Sequence, residues 1–248
     1  MNKNTINLVD LMSEFYQQIA LIKVWNKEQE LNKHVMSILK QSTIPTNNEI
    51  ATAISLYLHQ WIELKRLQYQ DILTEREYHI FDKACFAMIS LADELFILLL
   101  VWPGKEHWHG VLLEQQSYHS CSAGSVFYQH IDQLLNDETF DELKGQLAAV
   151  YLLALRLGFA GRYRDNEKEL TNYSKQLFNM INRRKTLSTE SISFEAYQHN
   201  LSSQNEQRLA PLSNWYRGII YSAVVYVILG AGAWYAILWN LNQWISTP

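Results

Sequence analysis

Three histidines and two glutamates lie close together in the sequence, and their side chains are of types that bind metal ions. They are His107, His109, His119, Glu106 and Glu114. His107 and His109 are two residues apart, so their rings point to opposite faces of a strand, or about 200° apart on a helix. No HExxH or CxxC motif accompanies them. The spacing favours exposed histidines beside a loop, and we predict no metal and no other cofactor.

Two adjacent carboxylates, Asp93 and Glu94, end an apolar stretch and are the next candidates for acid–base chemistry. Neighbours on a helix point about 100° apart, which is poor geometry for two carboxylates that share one substrate. The chain has no glycine-rich phosphate loop and no nucleophile elbow. We therefore predict no enzymatic activity. Because unpaired buried carboxylates are costly, we expect both acids to be satisfied by donors or cations.

The elements that carry these residues are predicted to be helices. Thr46 with Glu49, and Thr74 with Glu77, have the spacing of the capping box that begins a helix. Only four prolines and nine glycines occur, and no hairpin dipeptide separates alternating apolar runs. The sequence therefore predicts an all-α fold with about seven or eight helices. Apolar residues at spacings of three and four form the first helical stripe: Leu8, Leu11, Phe15, Ile19 and Ile22.

Charge and cysteine content exclude some functions. The net charge of −4 and the pI near 6.1 give no basic footprint, so we predict no nucleic-acid binding. The two cysteines, Cys85 and Cys121, lie among apolar or small residues. We expect both to be packed thiols.

The C-terminal stretch 218–248 contains no Asp, Glu, Lys, Arg or His. Within it, residues 219–239 are almost wholly apolar, and a helix of about 20 residues spans the roughly 30 Å of a bilayer core. The alternative is a buried helix in the core of a soluble domain, which rarely stays free of charge over this length. Arg208 and Arg217 precede the stretch and no basic residue follows it, so the N-terminal part is predicted to be cytoplasmic.

Four segments follow from this interpretation. Residues 1–185 form a cytoplasmic helical domain, 186–213 a polar linker, 214–240 a transmembrane helix and 241–248 a short periplasmic tail. Gly230 and Gly232 give the predicted span a small-residue surface that another helix can approach closely.

Three motifs resemble one protein family. They are LADE at 91–94, followed by Trp102 and Trp108, then AGSVFY at 123–128, and YLLALRLGFAGRYR at 151–164. Together with a single C-terminal span, these motifs resemble the DotU family, called IcmH in type IVB and TssL in type VI secretion systems. This chain departs from the family pattern at Ala160 and Ala149, where an acidic residue is usual.

The resemblance implies two small packed three-helix bundles on the cytoplasmic side of the bacterial inner membrane. It also implies a non-catalytic scaffold beside a large IcmF/TssM-type membrane partner, with cytoplasmic secretion components and a second copy of the chain as further partners. For type VI members it implies contact with the baseplate. The alternative is an unrelated tail-anchored adaptor that tethers a helical module to the membrane.

The segment after the 151–157 stretch holds the remaining candidate site residues. A glycine at a helix end adopts positive φ without steric cost, and a second glycine allows another sharp bend. The two arginines alternate, so one is expected to pair inward with Asp93 or Glu94 and the other to point outward. The motif therefore either stabilises the fold through an ion pair or forms a docking surface for a partner. Its residues are Gly158, Phe159, Gly161, Arg162, Tyr163 and Arg164.

Overall fold

A computed structural model describes residues 6–137, 139 and 141–185 of the chain. All regular structure in this part is helical, which confirms the predicted all-α fold. The α-helices are α1 (Leu8–Lys27), α2 (Leu31–Leu39), α3 (Asn47–Gln70), α4 (Glu75–Glu94), α5 (Leu113–Tyr118), α6 (Ala123–Leu135), α7 (Glu142–Leu157) and α8 (Glu167–Lys185).

The predicted helix starts are confirmed at both capping boxes. The hydroxyl of Thr46 accepts from the Glu49 backbone N–H, and the Glu49 carboxylate accepts from the Thr46 N–H at 2.7 Å. Thr74 and Glu77 repeat the arrangement at α4, with 2.9 Å from the Thr74 nitrogen to the carboxylate. Each box satisfies backbone donors that the first helical turn leaves without partners.

Helix α4 is the central element of the fold. Every residue from Ala84 to Phe96 is buried, so this helix meets other elements on all sides. It packs against α1, α3, α5, α6 and α7. The predicted stripe of α1 is also fully buried, which confirms that face. The two acids at the carboxyl end of α4 therefore lie at the junction of several helices.

A 3₁₀ helix, Lys105–Gly110, lies between α4 and the short α5. One of the two cysteine predictions was wrong. Cys85 is buried as expected, but Cys121 is exposed and its thiol donates to the side-chain oxygen of Gln115 at 2.9 Å. Small neighbours such as Ser120 and Ser122 do not cover a side chain that lies in the loop before α6.

No helix in residues 6–185, as far as the structure describes them, is long and apolar enough to cross a membrane. The predicted linker 186–213, the span 214–240 with Gly230 and Gly232, and the tail 241–248 lie outside the described residues.

Candidate functional site

The two acids at the end of α4 diverge to different parts of the chain. Asp93 binds the segment that leads into α5, and Glu94 binds the loop that follows α7. Asp93 is 6% exposed and Glu94 is 8% exposed, so both residues are largely shielded from solvent. The divergence is that expected for neighbouring residues on a helix.

Asp93 accepts three hydrogen bonds. The indole N–H of Trp108 and the backbone N–H of Leu113 donate to Oδ1 at 2.9 and 3.0 Å, and the Glu114 N–H donates to Oδ2 at 2.9 Å. Two of these donors are orphan N–H groups in the first turn of α5, so Asp93 caps that helix from a distance. Burial raises the pKa of Asp93 to about 6, against the opposing effect of the three hydrogen bonds.

An aromatic cluster supports the Asp93 side of the site. The rings of Phe96 and Trp108 stack with centroids 4.5 Å apart, and Trp102 meets both rings edge-on. The indole N–H of Trp102 donates to the carbonyl of Phe96 at 2.9 Å. Trp102 and Trp108, two predicted site residues, therefore hold the chain between α4 and α5 by packing and by satisfied indole donors.

The carboxylate of Glu94 binds backbone N–H groups of the loop after α7. The N–H groups of Ala160 and Gly161 donate to the carboxylate at 3.1 and 3.0 Å, and the Arg164 guanidinium donates at 3.0 Å. The inward-pointing arginine is therefore Arg164. Arg162 pairs with neither acid, so an ion pair between Arg162 and the α4 carboxylates does not form.

Two glycines give this loop its path, as the sequence predicted. Gly158 ends α7 with φ of 117°, and Gly161 turns the chain again with φ of 50°. A Cβ added at Gly161 would lie 2.9 Å from the carbonyl oxygen of Gly124 at the start of α6. This close approach of two backbones requires glycine at position 161, since any side chain would push the loop away from α6.

The side chain of Phe159 points back into the core, where it is 3% exposed and packs on Phe127 with ring centroids 4.0 Å apart. The hydroxyl of Tyr128 donates to the carbonyl of Ala160 at 2.7 Å. Position 160, where the resemblance leads one to expect an acid, thus contributes its backbone N–H and carbonyl to the site. The loop is held from both sides, by Glu94 of α4 and by Tyr128 of α6.

Arg162 occupies the outer surface of the same loop. Its guanidinium lies over the ring of Tyr163 at 4.7 Å and over the ring of Tyr128 at 5.4 Å. It also donates to the Tyr163 hydroxyl at 2.9 Å. Arg162 and Tyr163 therefore form a stacked unit on the surface, whereas Arg164 pairs with the buried carboxylate of Glu94.

These residues surround a cleft of about 560 Å³, which we call the acid-pair cleft. Its walls come from the end of α4, the start of α6 and the loop after α7. Glu114 also lines it, and its carboxylate accepts from the backbone N–H of Ser122 at 2.8 Å. The ionisable residues that line it are Asp93, Glu94, Glu114, His109, Arg162 and Arg164.

The carboxylates of the cleft already have partners within the protein. Each of the three carboxylates accepts hydrogen bonds from backbone N–H groups. Within the described residues, no group of three His, Cys, Asp or Glu side chains could hold a metal ion. His107, His109 and His119 are all exposed.

Sequence reasoning missed the contributions of α6. Gly124 receives Gly161 at close range, Tyr128 binds the loop carbonyl, and Ser122 is held by Glu114. The signal was available in the AGSVFY motif, where a glycine and an aromatic pair lie in the first half of the amphipathic helix α6.

Comparison with known proteins gives one finding at the level of the family. A family model described as Type VI secretion system protein DotU matches residues 44–239. The match includes all the residues of the acid-pair cleft. Neither the search of curated proteins nor that of solved structures gave a match.

Proposed function

Because the chain belongs to the DotU family of type VI secretion system proteins, we propose that it is a non-enzymatic structural component of a bacterial secretion-system inner-membrane complex. The observation that carries this proposal is the family match over residues 44–239, which includes most of the helical domain and nearly all of the predicted span. Membership of the family also argues against the alternative of an unrelated tail-anchored adaptor.

The proposed topology follows the sequence. Residues 1–185 face the cytoplasm as two small packed three-helix bundles, 214–240 cross the inner membrane, and 241–248 end in the periplasm. The charge-free stretch 218–248 and the arginines before it support this arrangement. In the same proposal, Gly230 and Gly232 pack against a helix of an IcmF/TssM-type membrane protein, since small residues let two helix backbones approach closely.

The cytoplasmic partners are proposed to dock at the acid-pair cleft. The cleft has a rigid floor, because its carboxylates fix the first turn of α5 and the loop after α7 through backbone hydrogen bonds. Its rim carries exposed side chains, notably Arg162, whose contacts within the protein are with neutral groups. A rigid base with an exposed rim suits a protein-docking surface, since little conformational entropy is lost on binding. A second copy of the chain is a further proposed partner.

Affinity purification of the full chain in mild detergent tests this function. The wild-type protein is expected to recover a large IcmF/TssM-type membrane protein in an amount comparable to its own. The variant Gly230→Leu/Gly232→Leu should recover much less, because leucine side chains keep the two helices apart. Ala223→Leu adds the same side chain elsewhere in the stretch and serves as the matched control. Recovery of a lone monomer from the wild type, with no large membrane protein, would contradict the proposal.

A further inference from the structure

Arg162 is an accessible cation of the acid-pair cleft. Asp93, Glu94 and Glu114 are 6%, 8% and 4% exposed, and each is covered by its donors. Arg162, in contrast, is an exposed residue at the edge of the cleft. A docking protein that enters the cleft therefore meets a guanidinium before it meets a carboxylate.

We infer that Arg162 recognises a carboxylate of the docking partner, on a segment where an acidic residue lies next to an apolar one. This inference rests on the proposed function, because it names the chemistry of the partner at the proposed docking site. An arginine is suited to this role, since its planar fork of donors binds both oxygens of a carboxylate.

The geometry of Arg162 supports recognition because the side chain is already ordered. Stacking over Tyr163 and Tyr128 and the bond to the Tyr163 hydroxyl restrict a side chain that would otherwise be mobile. Tyr128 is itself fixed by its bond to the Ala160 carbonyl. The guanidinium interacts with the hydroxyls of Tyr163 and Tyr173, which are neutral groups, so several of its five donors are left for a ligand. Preorganisation of this kind reduces the entropy that binding costs.

The other cation in the loop is already engaged. Arg164 forms a salt bridge with Glu94 at 3.0 Å, so its charge is largely neutralised within the protein. Among the described residues, no carboxylate forms a salt bridge with Arg162. Of the two arginines in the loop, Arg162 is therefore the one whose positive charge is available to a partner.

Apolar side chains also line the acid-pair cleft. The π-helix Leu95–Leu99 continues α4, and Ile97 and Leu98 from it line the cleft. Leu98 is 36% exposed, which places an aliphatic surface within the same cleft as the guanidinium. A partner segment that satisfies both features carries a carboxylate and an apolar side chain close together.

A photo-crosslinking experiment in cells tests the inference on the full chain. p-Benzoylphenylalanine replaces Ser125, an exposed residue of the cleft, and the crosslinked partner peptide is identified by mass spectrometry. Arg162→Glu and Arg162→Gln should reduce the crosslink yield by about tenfold or more, as expected when an interfacial charge pair is broken. Arg156→Glu makes the same charge change at another exposed arginine and should leave the yield within about twofold.

The outcomes separate the inference from the proposed function. The inference requires an Asp or Glu in the crosslinked peptide, and its replacement by Arg must restore the crosslink to the Arg162→Glu variant. A crosslink that is unchanged in Arg162→Glu, or a charge exchange that restores nothing, overturns the role of Arg162 and leaves docking at the cleft intact. If position 125 gives no crosslink in secreting cells, docking at the cleft itself is overturned. An unchanged melting temperature of each variant shows that the fold is retained.

Discussion

Replacing Glu94 with glutamine removes the charge that holds the loop after α7 while keeping nearly the same shape. In the wild type the carboxylate accepts from two backbone N–H groups, those of Ala160 and Gly161, and from the Arg164 guanidinium. A glutamine side chain has one oxygen and one NH₂ group. Because every partner at the site is a donor, the NH₂ group must face at least one N–H group with no acceptor between them.

The expected loss is about 2–3 kcal/mol of unfolding free energy. A partly buried backbone donor left without an acceptor costs about 1–2 kcal/mol, at the lower end of the range for buried groups. The ion pair adds about 1 kcal/mol, because the Arg164 side chain is 52% exposed and solvent screens the interaction. The loop geometry set by Gly161 does not let the backbone turn away to find other acceptors.

Equilibrium urea unfolding of the full chain in mild detergent, followed by far-UV circular dichroism, measures this loss. Glu14→Gln is the matched control, because Glu14 is 51% exposed and its salt bridge with Lys65 lies on the surface. The control should change the unfolding free energy by less than about 0.5 kcal/mol. If Glu94→Gln were no more destabilising than Glu14→Gln, the argument that this carboxylate stabilises the loop would be refuted.

Three further predictions concern single residues. Gly161→Ala should destabilise the chain by about 2 kcal/mol or more in the same unfolding assay, because φ at Gly161 is positive and the new Cβ would contact Gly124. The control Gly110→Ala should cost less than about 1 kcal/mol, because no atom lies within 4 Å of the added Cβ. Equal losses in the two variants would contradict this. The pKa of Asp93 is about 6 in the fold, above its ordinary value of 3.8. Protonation of Asp93 therefore favours the folded state. Its contribution should therefore decrease by about 3 kcal/mol as pH rises from about 4 through 6, and a pH profile identical to that of Asp93→Asn would refute this. A maleimide should label exposed Cys121 but not Cys85 in the native protein, since burial also raises the pKa of the Cys85 thiol; rapid labelling of both would be inconsistent with the core.

Local signals in the sequence were sufficient for much of the fold. Capping boxes at Thr46 and Thr74 fixed two helix starts, because the pattern depends only on residues three positions apart. Gly158 marked the end of α7 for a similar reason, since a left-handed residue there closes the last turn. The buried face of α1 followed from helical periodicity alone.

The candidate site required information that is not local. Alternation predicted that one arginine of the loop points inward, but the choice of Arg164 depends on the turn at Gly161 and on the 3₁₀ helix Gly161–Tyr163. The segment that each of Asp93 and Glu94 binds depends on where α5 and the loop after α7 lie around α4. The exposure of Cys121 likewise follows from the packing of neighbouring elements and not from its sequence neighbours.

The most direct test of the central claim is a secretion assay in a strain that lacks this chain. The account predicts that the deletion abolishes export of a substrate of the type IVB or type VI system to which the chain belongs, and that the full wild-type chain restores it. Restoration should not require any added cofactor, since the proposed role is structural. Export that continues at the wild-type level in the deletion strain would contradict the account.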